Sequence, residues 1–298
     1  MRRLPTYDEL QRPLPPWDPK AWSFGLQSLL LRTIGRTSRG VDLGFRQGFN
    51  SGVMLDYVYE NRAQGRWGIG ALLDRAFLDT IGWRGIRLRK VQLQQALRRM
   101  IDERRGRGQA THIVDLAAGG GRYLLETLRE AGESGVTALL RDLQREGLDE
   151  ARRRAAEMGL RNVRFESGNA FDPGELASLS PRPDIVVVSG LYEIIPDDGL
   201  IRPHFGHIRR CLSPDGTFIF TAQPYHPQLE MIARVLPGLD GRPWVMRLRS
   251  LELLERWARE GGFTRWGAVG DPWGIFYVIT ASGGTAPAAS GPRPEADR

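Results

Sequence analysis

A chain of 298 residues with 41% hydrophobic content has the length for one large α/β domain plus a smaller accessory region, and enough apolar surface for a substantial core, which excludes disorder as its default state. Its net charge of +7 is uneven: residues 1–109 carry 20 Lys+Arg against 10 Asp+Glu, whereas residues 110–298 carry 22 against 25, so an anionic partner is to be sought on the N-terminal side. The single cysteine, Cys211, excludes an internal disulfide or a cysteine metal cluster, and without a signal peptide or an apolar run near the roughly 20 residues that span a bilayer, a cytoplasmic protein with no transmembrane segment is expected.

Residues 1–22 hold Pro5, Pro13, Pro15, Pro16 and Pro19 with Trp17 and Trp22, a pattern that predicts an extended strap. Helical spacing runs from Trp22 to about Arg39, and the glycine-punctuated stretch 40–50 reads as a loop. Further helices are predicted over 53–62, 70–81 and 90–105, the last carrying a stripe of Val91, Leu93, Leu97 and Ile101. This mainly helical N-terminal region, residues 1–108, is expected to act as a lid on the substrate side. From residue 109 short β-rich runs alternate with amphipathic helices, the signature of a doubly wound parallel sheet. The strands are predicted at 112–116, 136–141, 163–167, 185–189, 217–222, 264–269 and 276–281, with helices at 122–131, 148–158, 201–211 and 251–261. Seven strands with helices on both faces make a Rossmann-like α/β domain over 109–282. Residues 283–298, poor in large apolar side chains, are expected to form a disordered tail.

The segment 112–123 is an apolar strand running into a small-residue turn that opens a helix. A dinucleotide fingerprint starting at Ala117 would place Arg122 where a third glycine is needed for close packing, and no lysine is present for a nucleotide P-loop. The segment does resemble motif I of class I S-adenosylmethionine-dependent methyltransferases, in which an acidic residue is followed by small residues at offsets 2, 4 and 6: Asp115, Ala117, Gly119 and Gly121. Ala117 stands where that family usually has glycine, which requires a negative φ there. The resemblance implies a further set of cofactor contacts with S-adenosyl-L-methionine. Asp142, 21 residues beyond Gly121, would accept the ribose hydroxyls; Asn169 and Ala170, in a Gly-Asn-Ala element, would meet the adenine; Ser189 ends the fourth strand beside the methyl group. The turn 212–218 completes five ordered elements over about 109–282. Residues 48–52, 82–87 and 223–228 additionally resemble a bacterial group of methyltransferases of unassigned substrate.

In such folds the strand ends border the acceptor, which points to Tyr192, Glu193 and His226 as catalytic candidates, Glu193 or His226 as base, and to Tyr225 and Tyr57 as substrate contacts. Arg84, Arg87, Arg89 and Lys90 are candidate ligands for a carboxylate or phosphate. After the fourth strand the chain reads Ser189-Gly190-Leu191-Tyr192, unlike amino-directed DNA methyltransferases, and Cys211 lies in the wrong place for a cytosine C5 nucleophile. His204 and His207 lack a third ligand, so no metal site is expected. The acceptor expected is therefore an O or N atom of a small-molecule or lipid-like compound. An RNA-modifying enzyme and a non-catalytic cofactor-binding regulator are the alternatives, nucleic acid being disfavoured by the absence of an RNA-binding module.

Overall fold

The strands are β1 (Thr111–Leu116), β2 (Val136–Asp142), β3 (Val163–Ser167), β4 (Ile185–Val188), β5 (Thr217–Ala222), β6 (Arg265–Gly270) and β7 (Tyr277–Ser282). In the computed structural model, which describes residues 3–132 and 134–283, they form one sheet in the order β3-β2-β1-β4-β5-β7-β6. β7 runs antiparallel to both β5 and β6, and the remaining neighbours are parallel. This is the seven-stranded class I methyltransferase sheet expected from the sequence. β1 and β4 are buried along their whole length because helices cover both faces, which is why they read as continuous apolar runs rather than alternating ones.

On one face Val114, Leu116, Val186, Val188, Phe218 and Phe220 pack against α9 (Pro173–Ala177), α10 (Asp198–Cys211) and α12 (Leu251–Glu260). Their odd-numbered neighbours Ile113, Ile185, Val187 and Ile219 face the other way, onto α6 (Ile81–Gly106), α7 (Arg122–Ala131) and α8 (Arg145–Glu157). The N-terminal third contributes α1 (Tyr7–Gln11), α2 (Pro19–Arg32), α3 (Arg39–Gln47), α4 (Gly52–Glu60) and α5 (Ile69–Leu78). With the first turns of α6 and with α11 (Leu229–Val235), these build a third apolar cluster over one end of the sheet, around Phe49, Met54, Trp83, Ile86, Ile232 and Phe276.

Three N-terminal expectations are corrected. The strap contains a helical turn: Thr6 and Glu9 form a reciprocal capping box that starts α1, and Asp18 caps α2 with Pro19 at its first position. The glycine-rich stretch 40–50 is mostly helix α3, capped by Ser38. Its glycines serve close packing: a Cβ on Gly40 would lie 2.7 Å from the Phe77 ring, and one on Gly44 2.4 Å from that of Phe49. α6 also begins at Ile81, well before residue 90, and Val91, placed on its apolar stripe, is 44% exposed. Of the predicted tail, only Gly283 falls within the described residues. Among those residues no helix is long and apolar enough to cross a membrane.

Candidate active site

Strand order reverses between β1 and β4, and in open α/β sheets the crevice beyond the strand ends at such a point is where ligands bind. β1 enters this crevice through a turn in which Ala117, Gly119 and Gly121 all have left-handed φ, of 55°, 53° and 55°. A Cβ on Gly121 would lie 2.2 Å from Leu140 Cδ2, so glycine is required there, whereas one on Gly119 would meet nothing within 4 Å, leaving that surface open. Ala117 departs from expectation, because its methyl is carried at positive φ and the backbone bears the strain.

The turn is held by its neighbours. Gly119 N–H donates to Asp142 Oδ2 at 2.8 Å, and Ala118 N–H to the Arg141 carbonyl at 3.0 Å. Asp142 Oδ1 accepts from Gln144 N–H at 2.8 Å. Beneath the turn the Asp115 carboxyl is fully buried, and neither oxygen has a hydrogen-bond partner. Burial pushes its pKa up to about 8, opposed by the Tyr123 hydroxyl and reinforced by the Asp142 charge. Asn169 Oδ1 accepts from Phe171 N–H at 3.0 Å, which fixes the amide at the end of β3, and Ala170 is buried beside it. Leu116, the last residue of β1, pairs with both Arg141 and Val188, so the turn leaves β1 beside the strand ends that carry Asp142 and Ser189. The predicted cofactor residues thus share one edge of the sheet.

A cavity of about 340 Å³ lies between the N-terminal helices and this edge. Phe77, Trp83, Ile86, Ile232, Trp244 and Phe276 are among its apolar lining, and Arg89, Gly190, Glu193, Gln223 and His226 also line it. Thr221 links two of these: its Oγ1 accepts from Gly190 N–H at 2.8 Å and donates to Glu193 Oε1 at 3.3 Å. Burial raises the Glu193 pKa, opposed by the Arg89 charge. Burial lowers His226 to about 4, opposed by Asp271. His226 Nδ1 accepts from Gln228 N–H at 3.1 Å, which puts the ring proton on Nε2, turned toward Gly82.

The structure brings Glu193 and His226 together but places three predicted residues elsewhere. Tyr192 turns into the core, its hydroxyl 2.8 Å from His204 Nδ1 and its ring against Phe205 and Phe220, because it faces away from its neighbour Glu193. Tyr57 donates to buried Asp74, which also accepts from Ser38 Oγ at 2.6 Å and from Gly40 N–H at 2.7 Å; it ties α3, α4 and α5 together rather than lining the cavity. Tyr225 is 41% exposed and is not among the lining residues. Of the arginine candidates, Arg84 stacks on Trp273 and Arg87 donates to the Leu78 carbonyl at 2.9 Å, leaving Arg89 at the cavity. Lys90 pairs with Glu126 at 2.5 Å.

Sequence reasoning missed the clamp that joins α4 to the glycine turn. Asp56 of α4 accepts from Arg122 Nε at 2.8 Å and from the buried Arg154 at 3.0 Å, while Arg154 also reaches the Gly120 carbonyl at 3.1 Å. Carboxylate and guanidinium are 98 residues apart in the chain, and no local pattern marks such a pair.

Residues 3–283 match the model of a family described as "Putative methyltransferase". The chain is 41% identical over 269 residues to the protein described as "Uncharacterized protein YnbC" of Escherichia coli K12, covering 89% of this chain and 46% of that one, so it spans about half the length of this relative. Among solved structures, it superposes on a possible exported protein from Bordetella parapertussis with TM-score 0.62 at 17% identity, covering 90% of this chain and all of that one. The magnesium protoporphyrin IX methyltransferase of Synechocystis, solved with S-adenosylhomocysteine bound, superposes with TM-score 0.54 at 14% identity, covering 80% and 98%. With the glycine turn, the strand order and a family match over nearly its whole length in agreement, the chain belongs to this methyltransferase family and has the class I S-adenosylmethionine-dependent methyltransferase fold.

Proposed function

We propose that this protein transfers the methyl group of S-adenosyl-L-methionine to an oxygen or nitrogen atom of a small-molecule or lipid-like acceptor held in the apolar cavity. The observation that carries this reading is the convergence of two features on one strand end. Gly190 lines the cavity two residues beyond Val188, which pairs with Leu116, the residue from which the glycine turn begins. The residues present suit the adenosyl group: an open backbone surface at Gly119, a carboxylate at Asp142 for a vicinal diol, and a buried carboxyl at Asp115 with unused acceptors beneath the turn. Asp115, Ala117, Gly119 and Gly121 would hold the methionine end, Asp142 the ribose, and Asn169, Ala170 and Ser189 the rest.

The cofactor, when bound, supplies a methyl group on an activated sulfonium. The chain has to orient the acceptor and exclude water. The apolar walls exclude water. His226 Nε2, an N–H donor, would fix a polar atom of the acceptor, and the Glu193 carboxylate would take a proton from a hydroxyl or amine acceptor. A mostly apolar lining is poor company for a phosphodiester chain, which disfavours the RNA reading. Isothermal titration with S-adenosylmethionine and S-adenosylhomocysteine, followed by labelled-methyl transfer into fractionated extract, tests the proposal. Asp142→Ala is expected to weaken binding at least tenfold, and an unchanged Kd would remove the ribose assignment.

A further inference from the structure

Along α6, Gly82, Trp83, Ile86 and Arg89 share the face that lines the cavity, and Leu93, Leu97 and Ile101 continue that stripe onto the sheet. A guanidinium in the middle of an apolar stripe needs compensation. Arg89 is 3% exposed, its Nε is sealed from solvent without a partner, and none of the hydrogen bonds or ion pairs of the described residues ends on it. Its contacts are the Phe276 ring, 5.1 Å from the guanidinium carbon, and the backbone at Gly190, where a Cβ would lie 3.5 Å from its terminal nitrogen. The buried Glu193 carboxyl feels its charge but forms no ion pair with it, so the guanidinium's own donors stay unused. Two more buried polar atoms of lining residues lack partners, Glu193 Oε2 and Gln223 Nε2. Buried charges in native proteins are paired, so a cation left in this state, facing a cavity, marks where an anionic ligand group belongs.

Resting on the methyl-transfer reading above, we infer that the acceptor is a carboxylic acid with an apolar body, its carboxylate held by Arg89 and Gln223 and its body lying along Trp83, Ile86, Ile232 and Phe276. A planar guanidinium is suited to carboxylate, and the aromatic ring behind it keeps the cation from turning away. The reaction balances without a base. One carboxylate oxygen forms the new bond to the methyl carbon as the carbon–sulfur bond breaks, the electron pair stays on sulfur, and the anion and the sulfonium are both neutralised with no proton released.

The test uses the full chain saturated with S-adenosylhomocysteine and titrates octanoate, decanoate and 4-phenylbutyrate against the corresponding alcohols and amines. At least one acid is expected to bind tenfold or more tightly than its alcohol and amine. With labelled S-adenosylmethionine that acid should yield its methyl ester, recovered as base-labile label. Arg89→Gln should lower acid affinity at least tenfold while leaving the Kd for S-adenosylhomocysteine within twofold, and Arg89→Lys should recover part of the loss. Acids and alcohols binding alike in the wild-type protein would overturn the inference without any variant. Equal loss of S-adenosylhomocysteine affinity in a folded Arg89→Gln would also overturn it, since the guanidinium would then serve the cofactor's own carboxylate. Failure of the wild-type chain to bind S-adenosylhomocysteine at all would instead sink the methyl-transfer reading.

Discussion

Replacing Asp115 by asparagine tests the electrostatics under the glycine turn. The wild-type carboxyl is fully buried without a hydrogen bond to either oxygen, and burial raises its pKa from 3.8 to about 8. A group whose folded-state pKa is raised contributes stability that is fully present below the unfolded pKa and is lost as pH climbs toward the folded pKa. Between about pH 4 and pH 7 the native protein must hold a proton that the unfolded chain releases, a loss of roughly 4 kcal/mol at ~1.4 kcal/mol per unit. Asparagine has nearly the same shape and never ionises, so Asp115→Asn should remove that slope. Urea unfolding of both proteins at pH 5, 6, 7 and 8 gives the difference directly, and taking the difference cancels the buried histidines. The variant should gain on the wild type by about 1 kcal/mol per pH unit across this window. Parallel stability–pH curves would refute the argument, because they would mean the Asp115 carboxyl ionises in the native state as readily as in the unfolded chain.

Three further outcomes follow from the geometry. Ala117→Gly relieves a left-handed residue and should stabilise the chain by about 1 kcal/mol in urea unfolding, most of the strain being offset by the greater freedom of glycine when unfolded. Asp56→Ala removes the acceptor shared by Arg122 and Arg154; with Glu150 still 3.0 Å from Arg154, the loss should be about 1–2 kcal/mol rather than that of a stranded buried charge, together with weaker S-adenosylhomocysteine binding by calorimetry. Tyr192→Phe deletes one buried hydrogen bond, to His204, and should lower stability by about 1 kcal/mol with no change in turnover once an acceptor is in hand; a large fall in kcat would put Tyr192 back at the reaction centre.

The sheet and the glycine turn were legible because their signals are local. An apolar run as short as Ile185–Val188 is a buried strand wherever it occurs, and the alternation of such runs with amphipathic helices leaves one architecture. The edge formed by Asp115, Asp142 and Asn169 follows from that, since Asp115 lies one residue before the end of β1, Asp142 ends β2 and Asn169 follows β3, and the neighbours of these strands are set by the fold. Residues near the acceptor were harder to identify. Tyr192 and Glu193 are adjacent in sequence, yet one enters the core and the other the cavity, and the N-terminal tyrosine Tyr57 serves Asp74.

The amino-acid sequence by itself determined the strands, the turn that opens α7 and the excess of positive charge in the N-terminal half, because backbone preference and hydrophobic period act over a few residues. Only the tertiary structure decided that Gly40 and Gly44 make a helix against aromatic rings, that Asp56 clamps the turn, and that Arg89 alone among its neighbouring cations faces the cavity. Those outcomes depend on which surfaces meet after chain segments far apart in sequence have packed. Whether a side chain is paired, buried or left facing a void is fixed by that meeting.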